Sequence, residues 1–214
     1  MQAPFYRCAA CRHDFTVTAG TLFGDTRLPL TLWFEAMWDV VNQKHGASAL
    51  GVQRVLGVSY PTAWRWLHKL RRAMVRPGRD RLTGTVEVDE VYIGGERPGK
   101  GDRGAAGKAL GLVAAQADGP QIGRIRLGRV ATASQAVLTM AVGKMVEPKS
   151  QVLTDDGDGY SGLREAGYDR QVVRKSAAVG QNLLPRANRV ASLLQRWLLG
   201  TPQGRWRSRI WITI

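Results

Sequence analysis

Apolar residues recur in two rhythms along this chain, and the change of rhythm divides it. From Leu30 to Arg76 the spacing is helical. Leu30 to Gln43 reads as a first helix, with Trp33, Met37, Val40 and Val41 on one side. Ser48 is a cap for a second helix, Ala49 to Leu56, and Gly57 ends it. Ser59 caps a third, whose first turn tolerates Pro61. In that helix Ala63, Leu67, Leu70 and Met74 form the expected core stripe. Thr62, Arg65, Lys69, Arg72 and Arg76 form the opposite one. The short Gly57-Val58-Ser59 connection gives the layout of a helix-turn-helix, whose second helix is the one that enters a DNA major groove. A basic stripe on such a helix is either a solvated face or a DNA contact.

After a linker at Arg76-Pro77-Gly78-Arg79-Asp80 the period shortens to that of strands. Thr85 to Gly95 is a strand carrying Val86, Val88, Val91 and Ile93. A polar, glycine-rich loop follows to Gly107. Its Gly94, Gly99 and Lys100 have phosphate-loop spacing, but Gly101 stands where Ser or Thr is needed, so nucleotide binding is rejected. Leu110 to Gln116 and Gly123 to Val130 continue an antiparallel meander through a turn at Asp118-Gly119. In the latter strand Ile125 and Leu127 face one way, Arg124 and Arg126 the other. Ser134 caps a helix through Val146; Ala136, Val137, Met140, Val142 and Met145 make it largely apolar. Gln151 to Thr154 is a fourth strand, Tyr160 to Ala166 a short helix, and Gln171 to Val173 a fifth strand. A last helix starts near Pro185 or Asn188 and runs to Leu199.

Composition adds a partner. The 214 residues carry a net charge of +14 and a pI near 10.7. Residues 1–80 hold +6 of this and the remainder +8, so the excess is spread along the chain. A membrane-surface protein would concentrate it on one amphipathic helix. Spread charge suits an extended polyanion such as double-stranded DNA. No apolar run reaches membrane-spanning length, and Met1-Gln2-Ala3-Pro4 opens no leader. A cytoplasmic, nucleoid-associated protein is expected. Several of the seven tryptophans lie beside arginine, as in Trp64-Arg65-Trp66. They could stack on bases, but core packing is the expected role.

The only cysteines, Cys8 and Cys11, form a C-x-x-C turn. In a basic chain this is typical of a Zn²⁺ knuckle, yet a tetrahedral site needs four ligands. No second pair exists; the chain holds what looks like half of a zinc ribbon. A redox pair would need a βαβ setting that is missing.

Three acidic residues, Glu87, Asp89 and Glu90, interrupt the first long strand. Carboxylates are costly in a buried strand unless something positive pairs with them. A second cluster, Asp155-Asp156-Gly157-Asp158, begins 66 positions after Asp89, just past Val152-Leu153. Two strand-borne carboxylates brought together are what a divalent-metal site needs. Two solvated strand ends are the other reading.

Three strands, a helix, a strand, a helix, a strand and a helix is close to the order of the RNase H-like fold. This is an α/β (α+β) mixed sheet with flanking helices. That fold puts one carboxylate midway along the first strand, a second at the end of the fourth, and a third polar residue on the last helix. Asp89 and Asp155 fall in the first two places. Asn188 is the candidate for the third, or else a helix N-cap.

The chain resembles the bacterial insertion-sequence transposases of the ISXO-like group. These carry a zinc ribbon, a helix-turn-helix and a DDE-type catalytic domain. The matching motifs are Tyr6-Arg7-Cys8-x-x-Cys11, Thr18-Ala19-Gly20-Thr21, Tyr60-x-Thr62-Ala63-Trp64, Val88-Asp89-Glu90-x-Tyr92-x-Gly94-Gly95, Thr154-Asp155-x-x-x-Gly159-Tyr160 and Arg189-Val190-Ala191-Ser192-Leu193-Leu194-x-Arg196. The resemblance covers about residues 5–204. It implies a zinc-ribbon remnant over 1–25, a helix-turn-helix domain over 26–76 and a catalytic domain over 82–204, with an atypical tail at 205–214.

The chemistry it implies is metal-assisted phosphoryl transfer. Asp89 and Asp155 would bind Mg²⁺ (or Mn²⁺), with Asn188 in the place usually held by Glu. Asp156 is a rival to Asp155, and Glu90 should point to the other face because adjacent strand residues alternate. The implied partners are the element's terminal repeats and target DNA, bound by a homo-oligomer. Three departures are expected to bear on activity. The first cysteine pair is missing, the run from Arg205 to Ile214 has no helical pattern, and Gln195 stands where relatives often carry a basic residue. For the run after Gly204 a truncation or a frameshift is the simplest account, and a genuine short terminal strand is the other reading. The alternatives to an active transposase are a non-catalytic DNA-binding remnant or repressor, and a different RNase H-like nuclease.

Overall fold

The computed structural model describes residues 5–43, 46–74, 78–94, 108–173 and 183–200. The chain forms two compact units, Met1–Arg76 and Pro77–Ile214.

The first unit opens on a two-stranded hairpin, β1 (Tyr6–Arg7) against β2 (Asp14–Phe15), closed by an exposed Arg7–Asp14 ion pair at 2.7 Å. Three helices follow: α1 (Leu30–Asn42), α2 (Ala49–Leu56) and α3 (Tyr60–Met74). The caps act as the sequence indicates. The Ser48 hydroxyl accepts the Gly51 N–H at 3.0 Å. Gly57 turns left-handed at φ 65 and returns its N–H to Gln53. That conformation is one a side chain resists, so glycine ends the helix cheaply. The core gathers Trp33, Ala36, Val52, Ala63, Trp66 and Leu67, with Trp33 stacked on Trp66 at 4.2 Å. Two expected core positions differ: Val41 and Met74 are exposed, at 71% and 56%. The tryptophans divide, with Trp33 and Trp66 buried and Trp38 and Trp64 exposed.

The second unit is built on a five-stranded sheet of order β5-β4-β3-β6-β7. Its strands are β3 (Thr85–Ile93), β4 (Ala109–Asp118), β5 (Gln121–Val130), β6 (Gln151–Thr154) and β7 (Asp169–Val172). β3, β4 and β5 form the antiparallel meander, and β6 and β7 add in parallel on the far side of β3. This mixed sheet with flanking helices is the RNase H-like arrangement. One face, with Val86, Val88, Leu112 and Val152, is covered by α4 (Gln135–Met145) and the 3-10 turn Asp158–Leu163. The other, with Val91, Ile93, Val113 and Ala115, is covered by α5 (Pro185–Gly200).

Local details depart from the pattern-based reading. The short helix is a 3-10 turn starting at Asp158, not Tyr160. Ser134 precedes α4, but its hydroxyl meets Thr132 at 3.0 Å instead of capping the helix. Met140 is 61% exposed, whereas Leu138, Val142 and Met145 carry the burial on that helix. The glycine-rich loop over 95–107 and the tail over 205–214 lie outside the described residues.

Candidate active site

Strand register brings the two acidic clusters together. Thr85 pairs with Gln151, Val86 with Val152 and Glu87 with Leu153, a constant offset of 66. Carried two residues further, the same offset would set Asp155 opposite Asp89, and the Asp155 charge does reach the Asp89 carboxyl. Asp155 is the first residue after β6, so its backbone turns away from the ladder there. Both residues are half-buried, while Asp156 is exposed.

Each carboxylate is oriented by the backbone. Asp89 accepts the N–H of Glu90 at 2.9 Å, and Asp155 accepts the N–H of Gly157 at 3.1 Å. These bonds take one of about four acceptor sites on each carboxylate. Burial pushes the Asp89 carboxyl up to about 6, and the charges of Glu90 and Asp155 add to the rise, against the Glu90 N–H that lowers it. Crowded carboxylates whose ionisation is opposed by one another are stabilised by a divalent cation. Asp89 and Asp155 offer hard oxygens of the kind that could hold Mg²⁺ or Mn²⁺, though among the described residues no third carboxylate, His or Cys joins them in one cluster.

The turn carrying Asp155 is clamped by Arg170 on β7. Its guanidinium donates to the Thr154 hydroxyl at 3.0 Å, the Asp155 carbonyl at 3.1 Å and the Gly157 carbonyl at 3.2 Å. It also lies over the Tyr160 ring, 5.9 Å from the centroid. The Tyr160 hydroxyl is buried, and burial followed by the Glu90, Asp89 and Asp155 charges raises its pKa well above the ordinary phenol value.

Glu87 has a different job from Asp89, although both side chains share a sheet face. It is 1% exposed and pairs with Arg186 Nη1 at 2.8 Å. It also accepts the backbone N–H groups of Arg186 and Ala187, at 2.7 and 2.9 Å. A buried carboxylate thus holds the N-terminus of α5, where the helix dipole favours negative charge. Arg186 continues to the carbonyls of Gly119 and Gln121 and ties in the β4–β5 turn. Sequence reasoning left Glu87 without a role. Its position on the buried parity of β3 was the available signal.

Asn188 follows immediately on this latch. Its backbone N–H donates to Leu184 at 2.9 Å, so it lies within the first turn of α5 and is not the N-cap. Asn188 is exposed on the helix that Glu87 anchors, and Glu87 lies one strand repeat, roughly 7 Å, from Asp89. Glu90 belongs to the opposite face of β3, with Val86 and Val88. Gln195 donates to the Tyr92 carbonyl at 3.2 Å.

In the first unit, the Cys8 N–H donates to the His13 carbonyl, and the Arg12 N–H returns to Cys8. The Cys8 thiol is held below its ordinary value by the N–H groups of Cys11 and Ala10, then by the Cys11 side chain. Among the described residues no cluster of three or more His, Cys, Asp or Glu side chains gathers. The two cysteines alone do not complete a Zn²⁺ site.

On α3, Arg65 and Arg72 are exposed. Lys69 is exposed too, and it also donates to the Gly24 carbonyl at 3.4 Å and lies 5.7 Å over the Trp33 ring. Thr62 is engaged with the capping Ser59 at 2.9 Å. Arg76 lies outside the described residues. Trp64 is exposed beside Arg65 and rests on His68, 4.0 Å between centroids.

The mixed sheet thus carries Asp89 on β3 and Asp155 just past the parallel β6. Residues 81–205 match the ISXO2-like transposase domain, and the chain belongs to that family. An uncharacterized protein in transposable element ISH50 of Halobacterium salinarum is 32% identical over 88 residues. That segment is 41% of this chain and 29% of the relative, so less than a third of the relative is spanned. The crystal structure of the Mos1 strand transfer complex covers 84% of this chain and 67% of its own, with a TM-score of 0.37 and 12% identity. The Mos1 transposase paired-end complex with left transposon end covers 87% and 70%, with a TM-score of 0.35 and 13% identity. Overlap at this level transfers no residue roles.

Proposed function

We propose that this chain is a DDE-type DNA transposase that cuts and joins DNA strands at the ends of an insertion sequence. The observation that supports the reading is the parallel β3–β6 register, whose 66-residue offset equals that between Asp89 and Asp155, in a chain of the ISXO2-like transposase family. Asp89 and Asp155 would hold Mg²⁺ or Mn²⁺, and Asn188 would offer a neutral carbonyl oxygen beside them. Bound divalent ions supply Lewis acidity for activating water or a DNA 3′-hydroxyl and for stabilising the leaving oxygen. The chain's own residues do the positioning. Arg170 fixes the turn that presents Asp155, and Glu87 fixes the helix that presents Asn188.

DNA binding follows from the charge and from α3. The helix pair α2–α3 acts as a helix-turn-helix, and Arg65 and Arg72 meet the duplex, with Arg76 continuing the stripe. Thr62 and Lys69 serve the fold of their own unit first. The acting species on DNA is a homo-oligomer holding both element ends. The Cys8–Cys11 turn would contribute half of a Zn²⁺ site.

The test is strand nicking and joining on supercoiled plasmid carrying the element's ends, in Mg²⁺ or Mn²⁺. The wild type nicks and joins, and Asp89→Ala and Asp155→Ala each reduce both steps by at least a hundredfold while DNA still shifts in a gel. Equal inertness of all three proteins, with the shift retained, overturns the enzyme and leaves a DNA-binding protein. Cleavage without joining points to a nuclease instead.

A further inference from the structure

Four arginines of the second unit gather away from the carboxylates. Arg79, Arg81 and Arg124 are exposed and Arg126 is half-buried. Arg124 and Arg126 stand on β5, an edge strand of the sheet. Arg126 pairs across the ladder with Ala114, which packs on the α4 face, while Asp89 aligns with Val113 and Leu127 on the α5 face. Arg124 and Arg126 therefore lie on the sheet face opposite Asp89, and the chain at Asp80 and Arg81 meets them through its carbonyls.

The guanidiniums are held in place. Arg124 donates to the Gln116 side-chain oxygen at 3.0 Å and to the Arg81 carbonyl at 3.5 Å. Gln116 is itself fixed by the Thr83 carbonyl at 2.8 Å. Arg126 donates to the carbonyls of Ile125 and Asp80. A guanidinium has five N–H donors, so each keeps donors for another acceptor. The pKa of Arg126 is lowered by burial first and then by Arg79 and Arg124, a sign of cations crowded together. The nearby acidic groups are Asp80 and Glu147; Glu147 pairs with Arg81 at 3.7 Å, both half-exposed. Crowded and pre-positioned cations on a solvated face complement a run of phosphates.

We propose that Arg79, Arg81, Arg124 and Arg126 form a second DNA-binding surface, which grips backbone phosphates of a duplex on the sheet face opposite Asp89. It takes double-stranded DNA as the partner from the proposed function, but needs neither the carboxylates nor α3. The contacts are to phosphate and carry no sequence preference.

The experiment measures binding of the full chain to a random-sequence duplex of about thirty base pairs across a salt series, for wild type, R124Q/R126Q, R124K/R126K and R65Q/R72Q. Each lost phosphate contact lowers the slope of log K against log salt by about 0.9. R124Q/R126Q is expected to lose about 2 from the slope, with its melting temperature within a few degrees of wild type. R124K/R126K retains the charge and keeps the slope. R65Q/R72Q changes the slope independently, so that the α3 reading fails or stands by itself. An unchanged slope in R124Q/R126Q overturns the proposal. So does an equal loss in R124K/R126K, or a lowered melting temperature with the slope intact, since either marks arginines that only stitch residues 80–81 to β5. A wild type that binds no duplex overturns both this surface and the α3 reading.

Discussion

At the residue scale, Asp89 trades stability for a site. Its folded pKa of about 6 lies above the ordinary 3.8. Between these values the folded state binds more protons than the unfolded one. The stability present below the lower value is lost as pH rises through about 6. Asp89→Asn is therefore expected to unfold at higher denaturant than wild type at pH 7 in the absence of divalent ions. With its partial exposure discounted, the gain is roughly 1 kcal/mol. The gap should close below pH 4, and a variant less stable than wild type at neutral pH contradicts the assignment. Glu87 works the other way. Glu87→Ala leaves Arg186 and two helix N–H groups without their shared acceptor, and should destabilise by about 3 kcal/mol or more in equilibrium unfolding. Asp89 and Asp155 stand out in the sequence because one carboxylate lies within a strand and the other directly follows one. The role of Glu87 does not, because Arg186 lies 99 positions away and only the folded helix delivers it.

At the element scale, capping and close approach explain why short segments hold. Ser48 satisfies one N–H at the start of α2, and Ser48→Ala should cost about 1 kcal/mol in thermal unfolding. Gly159 is a tighter constraint. A Cβ there would stand 2.5 Å from the Ala133 carbonyl and 2.7 Å from Leu138 Cδ1. Gly159→Ala is expected to destabilise by about 2 kcal/mol, and to disturb the turn after Asp155 more than any neighbouring change. An unchanged melting temperature in that variant would contradict the packing. Strand and helix positions were readable from apolar period, β6 to the residue. The failures were at ends and faces. Periodicity assigned Met74 and Val41 to the core, but both are exposed. Arginine alternation on β5 was legible too, though not the carbonyls that hold those arginines.

At the scale of the whole molecule, two units each close their own core, one of helices and one around the mixed sheet. The order of elements gave away the second, because three antiparallel strands followed by helix-linked parallel strands leave few topologies. The register did not need to be guessed. The 66-residue offset between the acidic clusters is the offset of the β3–β6 ladder itself. Less could be read where chemistry depends on groups far apart in sequence, as with the Arg170 clamp and the arginine surface. Part of the charge spread along the chain lies on α3, where Arg65, Lys69 and Arg72 are exposed, and part on β5, where Arg124 and Arg126 are held by carbonyl and amide oxygens.

The central claim is that Asp89 and Asp155 together make one divalent-metal site. Mn²⁺ binding by the full chain, followed by electron paramagnetic resonance, tests it without any DNA substrate. Wild type should take up Mn²⁺, Asp89→Ala and Asp155→Ala should each weaken uptake by at least tenfold, and the double variant should be little worse than either single one. Uptake undiminished in both single variants, or losses that simply add, would contradict a shared site.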